Sequence, residues 1–383
     1  MTRLRGAGSP VLLCVSGRWW PYVSEIFKRM EPEAAENDPY FTFGVIADVQ
    51  YADTENGFNY SETRDRYYRN SLHLLRSAIM GWNEEPTTPR FILQLGDLID
   101  GCNSVLKSAD EALQTVLSEF AECKSPVHHI WGNHEFYNFD RELLLKSALN
   151  TKCLGNEKPP DNMDSSEKTD LDPHDPEGFY GYHFSPFPKF RFILTDAYDL
   201  SILGRKKNSR KHHDSMLRLK SKNGNENLNS PRGLTGLNLR FLAFNGGFSQ
   251  EQLEWLNKIL TFSDNNQEKV AIIELYNHSE VPHTSRHLPV HPNSADPMCI
   301  PWNYDEILSV LHAHTSIVCF IAGHDHDGGY YLDDHGIHHL TFEGVIETSP
   351  ESHAFGTIYV CEDRMILKGR GRIPDRVLHY RKT

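Results

Sequence analysis

A chain of 383 residues, 39% hydrophobic and 24% charged, has the mixture of a folded globular protein, which excludes a disordered one. Its net charge of −13 repels phosphate backbones, so nucleic acid is excluded as a broad partner and a small anionic substrate would need cations gathered locally. Seven scattered cysteines, odd in number and without a Cys-x-x-Cys pair, fit neither a disulfide framework nor a structural zinc site and point to a reducing compartment.

Residues 1–38 carry no clean periodicity and end in a polar run, so they read as an irregular leader outside the core. The apolar run 11–15 is too short for a secretory core or a membrane span. Arg3 and Arg5 leave a targeting reading open, but a cytoplasmic protein without membrane contact is expected. Order begins at Phe41. Apolar runs at 41–46, 91–95, 127–131, 190–194, 270–273 and 317–322 predict buried strands. Segments 67–79 and 109–120 have apolar residues at helical spacing. Ser249 and Gln252, three apart, predict a capping box opening a helix whose face is Leu253, Leu256, Ile259 and Leu260. After Gly323 the pattern turns to strands alone, at 337–342, 357–360 and 365–367, predicting a second sheet packed on the first. The polar stretches 151–178 and 205–229 read as mobile surface insertions. The basic run from Arg205 to Lys211 reads as a solvated charge cluster rather than an anion site.

Chemistry collects where the apolar runs end. Asp48-Val49-Gln50 follows the first run, Gly96-Asp97-Leu98-Ile99-Asp100 the second and Gly132-Asn133-His134-Glu135 the third; Gly323-His324-Asp325-His326 follows a later one. In open α/β sheets ligands gather beyond the carboxyl ends of strands, so residues this far apart can converge. Asp97 can bridge two cations with its two oxygens, Asp48 and Gln50 supply oxygens, and His324 and His326 supply nitrogens. Two ions about 3.5–4 Å apart can activate a water and polarise a phosphoryl oxygen together, which defines a hydrolase. Asn133 can bind metal and donate to phosphate, and a protonated His134 can neutralise a developing oxyanion or leaving oxygen. Asp100 either orients His134 or caps the start of a helix.

The four motifs, in this order over residues 41 to about 371, resemble those of the calcineurin-like metallophosphoesterase superfamily. That resemblance implies an α/β fold: a four-layer α-β-β-α sandwich, two packed mixed sheets flanked by helices. It would form one domain over 39–383, with polar insertions at about 151–178, 205–229 and 274–286. More narrowly, four segments resemble the manganese-dependent ADP-ribose/CDP-alcohol diphosphatases. They are Gly44-Val45-Ile46-Ala47-Asp48-Val49-Gln50, Trp131-Gly132-Asn133-His134-Glu135-Phe136-Tyr137-Asn138, Asn245-Gly246-Gly247-Phe248-Ser249-Gln250 and Gly323-His324-Asp325-His326-Asp327-Gly328-Gly329.

By this resemblance two divalent ions, manganese above others, would be bound. Asp48, Gln50, Asp97 and His326 would hold one, and Asp97, Asn133, His324 and a further histidine the other. Gln50 stands where the wider superfamily has histidine; its harder oxygen favours manganese, unless it only hydrogen-bonds nearby. His287-Leu288-Pro289 resembles the turn that carries the last ligand in the diphosphatases, whereas His278 is nearer the strand. Placing His287 there makes 274–286 an insertion of about a dozen residues, a length surface loops tolerate. The substrates implied are ADP-ribose and CDP-alcohols such as CDP-choline, with AMP or CMP released by a monomeric enzyme. Phe58 and Tyr60 could lay a ring against a base or ribose, or plug their loop against the sheet. Two competing readings are a phosphoesterase acting on phosphoproteins or phosphodiesters, and a catalytically impaired nucleotide-binding form.

Overall fold

The structure is a computed structural model that describes residues 38–59, 62–155, 175–274 and 297–381. Its strands are β1 (Phe41–Ile46), β2 (Gly57–Phe58), β3 (Asp65–Arg66), β4 (Ile92–Gln94), β5 (Val127–His129), β6 (Tyr182–Phe187), β7 (Phe190–Leu194), β8 (Lys269–Glu274), β9 (Ile317–Ala322), β10 (Gly329–Leu332), β11 (His338–Thr341), β12 (Ala354–Val360), β13 (Arg364–Gly371) and β14 (Arg376–His379). One sheet runs in the order β14-β13-β12-β1-β4-β5 and the other β10-β11-β9-β8-β7-β6, while β2 and β3 form a separate hairpin. β1, β4 and β5 are parallel, as are β7, β8, β9 and β11. Both sheets are thus mixed, with antiparallel strands completing their edges.

The sheets pack face to face through aromatic rings. Phe43 of β1 stacks on Phe91 at 5.1 Å and meets Phe192 of β7 edge-on at 5.1 Å; such geometry suits the quadrupoles of the rings. On the outer face of the first sheet, helix Tyr68–Glu84 buries Trp82 completely. A Cβ on Gly44 would come within 2.6 Å of Trp82 and 2.5 Å of Ile92, so glycine is required beneath that ring. Helices Gln250–Asn265 and Tyr304–His312 cover the second sheet, packing Leu253, Leu256, Ile259, Ile307 and Leu311 on Val270, Ile272 and Phe320. The layers are therefore α-β-β-α. Among the described residues no helix is long and apolar enough to cross a membrane.

Three expectations are corrected. The strands after Gly323 do not form a sheet of their own: β10 and β11 join β9, whereas β12, β13 and β14 extend the first sheet beside β1. The Ser249 hydroxyl does accept the Gln252 amide at 3.2 Å, but Gln252 does not close the capping box. Its side chain instead bonds the backbone of Asp196 in both directions, at 2.8 and 2.9 Å. Within 205–229, read as mobile, lies helix Arg210–Lys222, capped by Ser209 and anchored by the fully buried Leu219. The basic run is neutralised in part: Arg205 and Lys211 pair with the buried carboxylate of Asp199, and Lys206 with Glu142. Residues 156–174, 275–296 and the leader 1–37 lie outside the described residues.

Candidate metal centre

The loops that leave β1, β4 and β9 are strained where the donors sit. Asp48, Gln50, Asp97 and His324 have φ of 53°, 44°, 53° and 79°, a region that costs a non-glycine residue about 1–3 kcal/mol and persists where surroundings over-determine it. Cross-loop bonds do this here: the amides of Asp48, Gln50 and Tyr51 donate to the carbonyls of Gly96, Asp97 and Leu98 at 3.3, 2.9 and 3.0 Å. The buried Glu135 carboxylate then accepts the amides of Asp97, Leu98 and Gly132 at 2.8, 2.7 and 2.7 Å, tying the β4 loop to the β5 loop. Nothing in the motif pattern marked Glu135 as this tie.

Five predicted donors come together and are buried: Asp48, Gln50, Asp97, His324 and His326. Donor atoms of Asp48, Asp97 and His324 all lie within 4.8 Å of one another. The His324 amide donates to Asp48 Oδ2 at 2.6 Å, and its Nδ1 is 3.5 Å from Asp97 Oδ2. His326 Nε2 lies 3.5 Å from Asp48 Oδ1 and 2.9 Å from Gln50 Nε2. Asp48 Oδ1, Gln50 Oε1 and Asp97 Oδ2 have no hydrogen-bond partner among the described residues. Buried oxygens of this kind are costly unless something satisfies them, and divalent cations fit both their number and their charge.

A carboxylate that sequence reasoning missed, Glu347, accepts from His326 Nδ1 at 2.7 Å and leaves Nε2 facing Asp48 and Gln50. Arg66 of the β2–β3 hairpin approaches the same carboxylate at 3.5 Å. Burial alone would lower the His326 pKa, yet Glu347 and Asp48 outweigh it and raise the pKa to about 10. Burial, Glu135 and Asp48 likewise push Asp97 well above the carboxylate range. Burial comes first for Asp97, and in both shifts the neighbouring carboxylates favour the protonated form.

His134 is buried in a different way. Its Nδ1 accepts the Gly101 amide at 2.7 Å, so that nitrogen carries no hydrogen and the proton resides on Nε2. Burial lowers its pKa to about 4, although Asp100 opposes this. The protonated His134 of the sequence reading is therefore replaced by a neutral imidazole with an Nε2–H donor. Asp100 Oδ2 is 3.4 Å from Nδ1, where it has no hydrogen to accept, while Oδ1 accepts the Cys102 amide at 2.8 Å at the start of helix Cys102–Leu106. Asp100 thus works as a helix-start acceptor.

Asn133 opens helix Asn133–Asn138 and is buried, its Oδ1 3.4 Å from the Tyr198 hydroxyl. The next amide, of His134, donates to Asp97 Oδ1 at 2.9 Å, which places Asn133 beside the Asp97 carboxylate. Phe58 is 62% exposed on the β2–β3 hairpin, so its ring does not plug the loop. Tyr60, His278 and His287 lie outside the described residues. β8 continues to Glu274, fully buried and paired in register with Ala322 just before His324. Burial and Asp196 hold its carboxyl well above the usual range.

Two mixed sheets between helical layers, with carboxylates, amides and imidazoles at the carboxyl ends of parallel strands from both, define a dimetal phosphoesterase. The family model for calcineurin-like phosphoesterases matches residues 41–328, and the chain belongs to that family. Proteins named manganese-dependent ADP-ribose/CDP-alcohol diphosphatase are similar over most of its length. The one from Homo sapiens is 51% identical over 358 residues, 92% of this chain and 97% of that relative. The one from Arabidopsis thaliana is 33% identical over 341 residues, 89% and 97% of the two chains. The crystal structure of a dimetal phosphatase from Danio rerio matches with a TM-score of 0.79 at 50% identity, covering 90% of this chain and 100% of that one.

Proposed function

We propose that this chain hydrolyses the pyrophosphate bond of ADP-ribose and of CDP-alcohols such as CDP-choline, using two manganese ions. Water adds across the bond, one phosphorus gaining the hydroxyl and the other phosphate the proton, to release AMP or CMP. The observation that carries the reading is the buried donor set in which Asp48 Oδ1, Gln50 Oε1 and Asp97 Oδ2 lack partners among the described residues, in a chain about half identical to diphosphatases of that name.

Asp48, Gln50, Asp97 and His326 are the proposed ligands of one ion; Asp97, Asn133, His324 and His287 are those of the other. Bound divalent ions supply an activated water and polarise the phosphoryl group. The oxygen of Gln50 suits manganese better than zinc. His134, neutral with a hydrogen on Nε2, donates to the phosphoryl or leaving oxygen without needing a low pH. Glu347 orients His326, and Glu135 holds the Asp97 and Asn133 loops. Phe58 and Tyr60 offer aromatic surface to the base or ribose. In this reading the enzyme is cytoplasmic and monomeric, and its net charge of −13 keeps it off nucleic acid.

Metal-free protein reconstituted with manganese, magnesium or zinc is to be assayed on ADP-ribose, CDP-choline, a phosphomonoester and a phosphopeptide. Manganese with either diphosphate substrate should give the fastest turnover, with AMP or CMP as product. Faster turnover of the phosphopeptide would overturn the reading.

A further inference from the structure

At the other end of the second sheet a separate group of metal-ligand side chains has no part in this chemistry. His312 ends the helix Tyr304–His312 that leads into β9, and Asp333 and His335 form the turn between β10 and β11. β11 starts beside the amino end of β9, with His338 opposite Cys319, whereas His324 follows the carboxyl end of β9. A six-residue strand separates the two groups, about 20 Å of extended chain.

We propose that His312, Asp333 and His335 form a second, peripheral site for a borderline divalent transition-metal ion, zinc above all. One donor atom from each lies within 4.8 Å of the other two. His312 Nε2 and Asp333 Oδ2 are already 3.2 Å apart, close to the ~3.4 Å that separates neighbouring donors on a tetrahedral zinc with bonds of about 2.0–2.1 Å. The carboxylate is held in place from behind. Asp333 Oδ1 accepts the amides of His335 and Ile337 at 2.9 and 2.8 Å, and the fully buried His339 reaches Oδ2 through Nε2 at 3.0 Å. A carboxylate fixed in this manner is the usual support of a first ligand shell. His335 is exposed and its ring stacks on that of His312 at 3.7 Å and 6°, so the His335 side chain has to turn out of the stack to bring a nitrogen lone pair onto the shared ion.

Two imidazoles and one carboxylate leave a fourth position for water and suit zinc or copper(II) better than manganese, which favours oxygen. Burial lowers the His312 pKa against the opposing pull of Asp333, which favours the neutral ring that metal binding requires. Binding at Nε2 moves its hydrogen to Nδ1, with no net loss of a proton.

Manganese-loaded wild type and His335→Ala are dialysed against zinc with manganese kept in excess, and both metals are counted per chain. Zinc that exchanges into the catalytic centre is common to both proteins, so the difference reports the peripheral site. Wild type should hold one more zinc per chain than His335→Ala, and zinc should raise the melting temperature of wild type by more than that of His335→Ala. His312→Ala should lose the same ion. Turnover with manganese should be unchanged in His335→Ala. Equal zinc in wild type and His335→Ala would overturn the proposal and leave Asp333 a purely structural acceptor for its histidines.

Discussion

Replacing Glu347 by glutamine keeps an acceptor for His326 Nδ1–H, which lies 2.7 Å away, and removes only the charge. Partners behind a metal ligand are commonly worth about 10–100-fold in metal affinity, or about 1.4–2.7 kcal/mol. Glu347→Gln should fall near tenfold and Glu347→Ala, which also loses the hydrogen bond, nearer a hundredfold. The pH dependence carries a sharper signature. With its pKa raised to about 10 by Glu347 and Asp48 against the effect of burial, metal-free His326 is protonated at neutral pH. Manganese must displace that proton, so apparent affinity in wild type should rise about tenfold per pH unit between pH 7 and 9. In Glu347→Gln the charge that raises the pKa is reduced and burial remains, so the slope over that window should flatten. The linked stability has the matching sign. A histidine whose folded pKa is raised stabilises the metal-free protein fully below its unfolded value of about 6.5, and that contribution is lost as pH rises through 10. Manganese titrations by calorimetry at several pH values test the first claim and thermal melts of metal-free protein the second. Wild-type affinity and slope in Glu347→Gln would refute the reasoning.

Asp97→Asn should abolish turnover and weaken both ions, because one carboxylate is proposed to serve the two; metal counts after gel filtration decide this. His134→Ala should lower kcat about 10²–10⁴-fold with both ions retained, since its Nε2–H is assigned to the phosphate. The matching pH profile should show no acid limb from His134 above its pKa of about 4. His287→Ala should lose one ion per chain while His278→Ala keeps both; the reverse pattern would return the ligand to the residue nearer β8.

Much of this protein was legible along the chain, for a local reason. A strand buried on both faces must be apolar throughout, so β1, β7 and β9 stand at the predicted 41–46, 190–194 and 317–322. A donor placed just after such a strand needs only the strand's direction to reach the site, which is why Asp48, Asp97 and His324 converge as their motifs foretold. Shorter or half-exposed elements left weaker traces. β6 mixes buried with partly buried positions, and helix Arg210–Lys222 buries only Ser215 and Leu219. Tertiary structure decided what depends on partners distant in sequence. Sheet membership of β10 to β14 is a choice among edges with equivalent backbone donors and acceptors. The tautomer of His134 is set by the Gly101 amide, 33 residues earlier, and the orientation of His326 by Glu347. Gln252 has the pattern of a helix cap, yet Asp196 offers its backbone a better-buried pair of hydrogen bonds. Periodicity records what a residue must do with its own neighbours; a buried polar atom answers to whichever partner the fold brings within 3 Å.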